Sequence, residues 1–512
     1  MELELKKTSL DIYEAGGELT LTQEETAETI VPDHCPDIAR IIETEGRVFL
    51  HGRELRDGKA EVTGTVRVTV LYTPEDESGI RALEFSIPFT VESDNRALPG
   101  YQYLAAETET EFLETRMLNP RKVFTHCKLV TSITGYQRRT MEVCTGLEAP
   151  PELCLEKKAE QQRAVLLTQI AEKDFTFMEE MRLSPGREGA AELLSSQVQG
   201  NVTETKLVGS KLIFKGIFSV RVLYRTGEGH CGAASAELPF SQIMEVEGAD
   251  EDAAASVHLQ LTGTDIQLDG DDPEGRQLAV TLYFHAAALL RQERELMLLD
   301  DLYSTAYDVA YDASPLDITC FYEAMDRRQT VREVLETGAV AGSVLRVSVC
   351  CGGVQVSREG EAVTLRTVAA VRALYLDEGG VALVAERSLD VSCQLEMPEH
   401  CRVTARAWCG EEVQASLCDR GIEVRFPVDF HVEAISRVKK ACISGVRLDE
   451  HTPKDLTGTP SLVLRCMDRE ETPWDLAKSC NTTVSAILAA NQLEGEGDIP
   501  CDKLLLIPRK RA

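Results

Sequence analysis

Three runs of alternating apolar and polar residues recur at a spacing of about 150 residues in this 512-residue chain. In the first, Val62, Val66, Val68, Val70 and Tyr72 fall on one side of a strand through Glu61–Tyr72. In the second, Leu212, Phe214, Gly216, Phe218, Val220, Val222 and Tyr224 do the same, and in the third Val363, Leu365, Thr367, Ala369, Val371, Ala373 and Tyr375. Period-two alternation predicts strands with one buried and one wet face. The runs end Val-Leu-Tyr, Val-Leu-Tyr and Ala-Leu-Tyr, with Tyr72, Tyr224 and Tyr375 separated by 152 and 151 residues. A repeat of that length can bury a core of its own.

The rest of each copy follows in step. A turn comes next: Thr73-Pro74-Glu75-Asp76, Arg225-Thr226-Gly227-Glu228-Gly229 and Asp377-Glu378-Gly379-Gly380. A second strand then carries Pro88 in copy one, Pro239 in copy two and Asp390 in copy three. Proline inside a strand predicts an edge or strand-end position, because it cannot donate to a neighbour. Later long strands begin near Arg121, Leu278 and Ile422. The apolar spacing in Pro36–Ile42, Ala190–Leu194 and Thr330–Leu335 predicts short helices. The fold class expected is mainly β, with tandem β-sandwich-like repeats at 1–150, 151–312 and a diverged 313–457. A small α+β unit occupies 458–512.

That last unit reads as strand, helix, helix, strand. Leu462–Met467 is the first strand, and Thr472 is placed to N-cap a helix with Pro473 at its first position. Thr482 or Thr483 caps a second helix carrying Val484, Ile487 and Leu488. Asn491-Gln492-Leu493 stops it, and Leu504–Pro508 closes the unit. The pattern Glu471-Thr472-x-Trp474-x-Leu476-Ala477, Thr483-Val484, Ile487-Leu488, Asn491-x-Leu493 and Leu506-Ile507-Pro508 resembles a LysM domain. It departs from that family at Glu470-Glu471-Thr472, where Gly-Asp-Thr is usual, and at Cys501-Asp502, where a glycine is usual. The resemblance implies a βααβ fold and a shallow groove for N-acetylglucosamine polymers. The groove would be built by Glu471, Thr472, Pro473, Trp474, Asn491, Gln492 and Leu493. Trp474 is one of two tryptophans. It suits either a ligand face or a core position that packs the first helix on the sheet. Glu470 and Glu471 favour a basic protein patch over a neutral glycan. Asn491 could hydrogen-bond a ligand, or simply end the helix in left-handed geometry.

Three such repeats and a LysM-like tail resemble the SPOCS-domain proteins of spore-forming Clostridia. The residues that carry the likeness are Pro32-Asp33-His34-Cys35-Pro36-Asp37-Ile38, Asn119-Pro120-Arg121-Lys122 and the three Leu-Tyr strand ends. The resemblance implies a non-enzymatic adaptor in spore-coat assembly in the mother-cell cytoplasm at the forespore surface. Its partners would be the spore stage IV A morphogenetic ATPase, bound through the LysM-like unit, and other coat proteins. The rival reading is a peptidoglycan or N-acetylglucosamine-binding protein acting at the spore wall.

Composition narrows the alternatives. A net charge of −31 with no basic stripe argues against nucleic acid. No apolar run reaches the length of a membrane helix, and no export signal follows Met1. The 16 cysteines, scattered and without Cys-x-x-Cys, are read as reduced thiols. Four His-Cys pairs (His34-Cys35, His126-Cys127, His230-Cys231, His400-Cys401) invite a zinc reading. Neighbouring residues in a strand point to opposite faces, so half-buried thiols are the favoured account and no metal is assigned. Asp269–Gly275 lacks the spacing of a calcium loop and reads as a turn. No phosphate loop, nucleophile elbow or His-Glu-x-x-His helix is present, so neither a catalytic residue nor a cofactor is assigned.

Overall fold

The computed structural model describes residues 3–75, 79–93, 98, 100–250, 252–409, 413–455, 457–468, 471–495 and 504–509. Its strands are long, up to thirty-three residues in Gly421–Pro453, which runs on through Pro427 and Gly445. In the first unit, β1 (Leu5–Ile30), β6 (Lys122–Leu147) and β5 (Tyr103–Asn119) form one sheet in the order β1-β6-β5. A second sheet has the order β2-β3-β4, from β2 (Ile38–Arg56), β3 (Lys59–Pro74) and β4 (Arg81–Glu92). The second unit repeats this with β7 (Leu155–Arg182), β8 (Ala190–Val208), β9 (Lys211–Thr226), β10 (Cys231–Glu245), β11 (Ala254–Leu268) and β12 (Gln277–Ser304). Its sheets are β11-β12-β7 and β10-β9-β8.

The third unit has β13 (Tyr307–Glu336), β14 (Ala341–Cys351), β15 (Gln355–Glu359), β16 (Ala362–Asp377), β17 (Ala382–Glu396), β18 (Cys401–Cys409), β19 (Gln414–Cys418) and β20 (Gly421–Pro453). Here β14 and β15 run one after the other along β16 where the first unit has β2, and β18 and β19 along β20 where it has β5. The second unit thus closes at Ser304 and the third opens at Tyr307, ahead of the expected boundary at residue 312. Each unit also starts with a long strand upstream of the alternating run, so β1 belongs to the first repeat.

The alternating runs are the middle strands β3, β9 and β16, and the whole predicted face is buried in each unit. Tyr72, Tyr224 and Tyr375 are 0–1% exposed. Opposite them lie Val123, Leu129, Leu278, Phe284, Ile422 and Phe426 from the other sheet, so each unit is a sandwich around its own core. Pro88, Pro239 and Asp390 occupy one structural position on the edge strands β4, β10 and β17. They face the equivalent residues Thr65, Ile217 and Val368. The edge assignment from proline is correct, and Asp390 needs no proline because an edge residue can leave its N–H in water.

One residue further along, the core pairs are Gly64 with Phe89, Gly216 with Phe240 and Thr367 with Val391. A Cβ at Gly216 would lie 2.0 Å from Asn201 O and 2.7 Å from the Phe240 ring. In the first two copies a bare glycine therefore lets an aromatic ring lie across the strand. The third copy fills the same space with a larger strand residue and a smaller partner. Divergence in the third copy is a volume-conserving exchange at this position.

The predicted helices at 36–42 and 190–194 are instead the first residues of β2 and β8. Both strands carry two β-bulges there, at Ile38/Arg40 and Ile41/Glu43, and at Ala190/Glu192 and Leu193/Ser195. Each bulge inserts one residue, so apolar positions recur at three- and four-residue intervals and imitate a helix. In copy three the matching bulges lie in β14, at Ala341/Ser343 and Val344/Arg346. Thr330–Leu335 is the end of β13.

These bulges turn one residue of each unit toward the other two. Ile42, Leu194 and Leu345, equivalent by sequence spacing, pack with Leu71, Leu223 and Leu374 in one cluster. The three units therefore close as a ring. On the same axis Arg346 donates to Ser195 Oγ (2.6 Å) and to Glu43 Oε2 (2.7 Å), and these too are equivalent positions. Gln197 donates to Glu45 across the junction of units one and two, at 3.0 Å. The far halves of the long strands of all three units form a further common core, including Val143, Leu298 and Cys442.

Candidate functional site

The C-terminal unit consists of β21 (Leu462–Arg465), α1 (Pro473–Ser479), α2 (Val484–Asn491) and β22 (Leu505–Pro508), with β21 and β22 antiparallel. Thr472 caps α1 through its hydroxyl, which accepts from Asp475 N (3.2 Å). The Asp475 carboxylate accepts from Thr472 N (3.0 Å), so the cap is a reciprocal box with Pro473 following it. Thr483, not Thr482, caps α2 by accepting from Ala486 N at 3.1 Å. Thr482 is buried, and its hydroxyl donates to Pro508 O.

Of the seven candidate groove residues, Glu471, Thr472, Trp474, Asn491, Gln492 and Leu493 have hydrogen-bond partners inside the protein. Glu471 is not a solvated charge: its carboxylate accepts from Arg465 Nη2 (2.9 Å) and from Asp468 N (3.3 Å). Asn491 donates to Ile487 O and Leu506 O and accepts from Leu506 N, at 2.7–2.8 Å, which ties α2 to β22. Gln492, rather than Asn491, takes the left-handed conformation that ends the helix, at φ 56°. Leu493 packs on the unit's core and donates its N–H to Leu488 O. Glu470 and Cys501-Asp502 lie outside the described residues.

Trp474 faces the junction of units two and three. Its Nε1 donates to Asp301 Oδ2 (2.8 Å), and its ring meets Tyr303 edge-on with centroids 4.9 Å apart. Lys478, one turn further along α1, donates to both Asp301 oxygens at 2.7 Å, and Tyr311 OH donates to Asp301 Oδ1 at 2.8 Å. Tyr303 OH donates to Thr482 O (2.7 Å), and Asn481 Nδ2 to Thr305 O (2.8 Å). Asp301 is therefore the hub of a docking contact that fixes the C-terminal unit on the ring. Sequence reasoning missed Asp301, Tyr303 and Lys478. The available signal was Asp300-Asp301 inside the apolar run Leu296–Tyr303, a place where a carboxylate needs partners.

Burial works against the Asp301 carboxylate, yet the hydrogen bonds from Lys478, Trp474 and Tyr311 outweigh it and hold its carboxyl below the ordinary aspartate value. A depressed folded-state value contributes stability that is present above the ordinary value of 3.8 and lost as pH falls through the folded one. We expect the docking to release in that acid window. Trp474 fluorescence should shift on acidification, and Asp301→Asn should show the undocked signal already at neutral pH. An acid-insensitive signal in the wild-type chain would remove Asp301 from this role.

On the opposite side of the unit, Leu462, Leu464, Leu504 and Leu506 are exposed, from 38% to 66%. They form an apolar strip on the outer face of β21 and β22.

The His-Cys pairs do not converge. Cys127 and Cys401 are buried, Cys35 and Cys231 half-buried, and burial pushes all four thiols up, Cys127 to about 11. Among the described residues the one grouping with metal-ligand spacing is Glu188, Glu228 and His230, all exposed, and it omits Cys231. The Asp269–Gly275 turn is closed by Asp272, whose carboxylate accepts from the backbone N–H groups of Glu274, Arg276 and Gln277. No helix among the described residues is long and apolar enough to cross a membrane.

Residues 37–117 and 190–269 match the family described as SipL, SPOCS domain. These stretches run from β2 into β5 and from β8 through β11, the equivalent parts of the first two units. They include both bulged strands that face the ring axis. No curated protein matches the chain. Two SPOCS regions in tandem, followed by a third unit of the same strand order, support a SPOCS-domain protein of the SipL type.

Proposed function

We propose that the chain is a non-enzymatic scaffold of spore-coat assembly in the mother cell, and that its C-terminal unit is a LysM-like module. That module would bind the spore stage IV A morphogenetic ATPase. The observation that carries this reading is the division of the C-terminal unit into two faces. The Trp474 face is joined to the ring through Asp301, and the face bearing Leu462, Leu464, Leu504 and Leu506 is open. A contiguous exposed apolar strip suits a protein surface rather than a neutral glycan. The groove residues Glu471 and Asn491, which a sugar would need, are hydrogen-bonded within the unit.

The test is an affinity measurement on the full chain against the ATPase and against a chitin oligomer. Leu464→Glu should weaken ATPase binding at least tenfold and leave the far-UV circular dichroism unchanged. Trp474→Ala should release the unit from the ring with a smaller effect on binding. Oligosaccharide binding without ATPase binding would instead establish the wall-associated reading.

A further inference from the structure

The ring encloses a cavity of about 810 Å³, lined by equivalent strands of all three units. Its walls carry five arginines: Arg47, Arg67, Arg221, Arg372 and Arg387. The acidic residues of the wall are each matched to a cation. Glu45 pairs with Arg346 (2.8 Å), Glu84 with Arg67 (3.7 Å), Glu111 with Lys128 (2.6 Å) and Glu386 with Arg372 (3.0 Å). Arg387 pairs with Glu333 at 3.0 Å.

Arg47 differs from these. It carries no hydrogen bond or ion pair among the described residues, in a chain with 85 acidic side chains. Burial is the main cause that weakens its hold on the proton; nearby Glu45 offsets part of that, and Arg67 and Arg346 repel it. The Thr110 hydroxyl in the same wall is buried without a partner. A guanidinium without a hydrogen-bonded partner on the cavity wall, with an unsatisfied hydroxyl nearby, leaves donors free for a ligand.

We propose that this axial cavity binds a phosphate-bearing small molecule, with Arg47 as its principal contact. Guanidinium groups match phosphate oxygens in both charge and fork geometry, and the volume is that of an ordinary ligand site. Wall residues Glu84, Glu111, Gln199 and Glu386 are exposed, so the cavity opens to solvent. The strongly acidic remainder of the chain discourages anion binding elsewhere.

The test is thermal unfolding of the full chain in inorganic phosphate against potassium chloride of equal ionic strength, with ATP as a larger phosphate ester. Phosphate should raise the melting temperature of the wild type in proportion to the logarithm of its concentration once above the dissociation constant, by roughly 5 °C at a hundredfold excess. Arg47→Gln should melt at or above the wild type in chloride and lose the phosphate response. A tighter response to ATP would mean that the ligand extends beyond the phosphoryl group, in keeping with the cavity's size. The proposal is overturned by no wild-type response, by an equal response in Arg47→Gln, or by a lower melting temperature of Arg47→Gln in chloride. The last result would make Arg47 a support of the fold.

Discussion

Arg346→Met should destabilise the assembled ring by about 3–5 kcal/mol, the range for breaking one half of a buried ion pair. The Glu43 side chain is 2% exposed and Arg346 is 9% exposed. Without the guanidinium, Glu43 keeps a longer contact to Arg372, at 3.6 Å. Burial already pushes the Glu43 carboxyl up, even beside Arg346. A raised folded-state value means that the penalty is full above that value, fades as pH falls through it and is gone below the ordinary glutamate value of 4.5. The deficit of Arg346→Met should therefore shrink in acid. Glu43→Gln combined with Arg346→Met should recover most of the loss at neutral pH, because the buried Glu43 charge is then gone and the more exposed Glu45 keeps its hydrogen bond from Gln197. Urea unfolding of the single and double variants, with limited proteolysis between units, measures both effects. A single variant as stable as the wild type would mean that the triad does not hold the ring closed. Lysine is a poor substitute here, since one ammonium cannot span Glu43, Glu45 and Ser195 as the planar fork does.

Phe218→Ala should unfold the second unit selectively, at a cost of about 3–5 kcal/mol for a buried aromatic truncation. Phe218 lies between Phe240 (centroids 4.1 Å apart) and Phe284 (4.4 Å), nearly parallel to both. The three rings come from β9, β10 and β12, so the stack joins the two sheets of the sandwich. The equivalent residues in the other units are Val66 and Ala369, and neither has such a stack to lose. Calorimetry should show the transition of unit two moving well below the others, and Val66→Ala should move its own unit less. Loss of all transitions together would show instead that the ring unfolds as one cooperative body.

Much of this was legible in the sequence. The alternating runs fixed three sandwich units and the buried face of β3, β9 and β16, because period-two burial leaves one solution for each strand. Pro88 and Pro239 marked the edge strands, and Thr472-Pro473 marked the start of α1. Local chemistry is enough for such features. The bulged strands misled the reading, since an inserted residue gives a strand the spacing of a helix. The candidate groove was legible as a pattern only. Whether Glu471, Asn491 and Trp474 were free or already bonded depended on residues as distant as Asp301.

The Val-Leu-Tyr ends show where the division falls. Their tyrosines could be placed from the sequence, because they continue the alternation into each unit's own core. Leu71, Leu223 and Leu374 sit on the opposite face, where alternation predicts water, and only the closed ring buries them. A strand's pattern records the sheet it belongs to. It does not record which other unit covers its outer face, because that depends on contacts between residues about 150 positions apart.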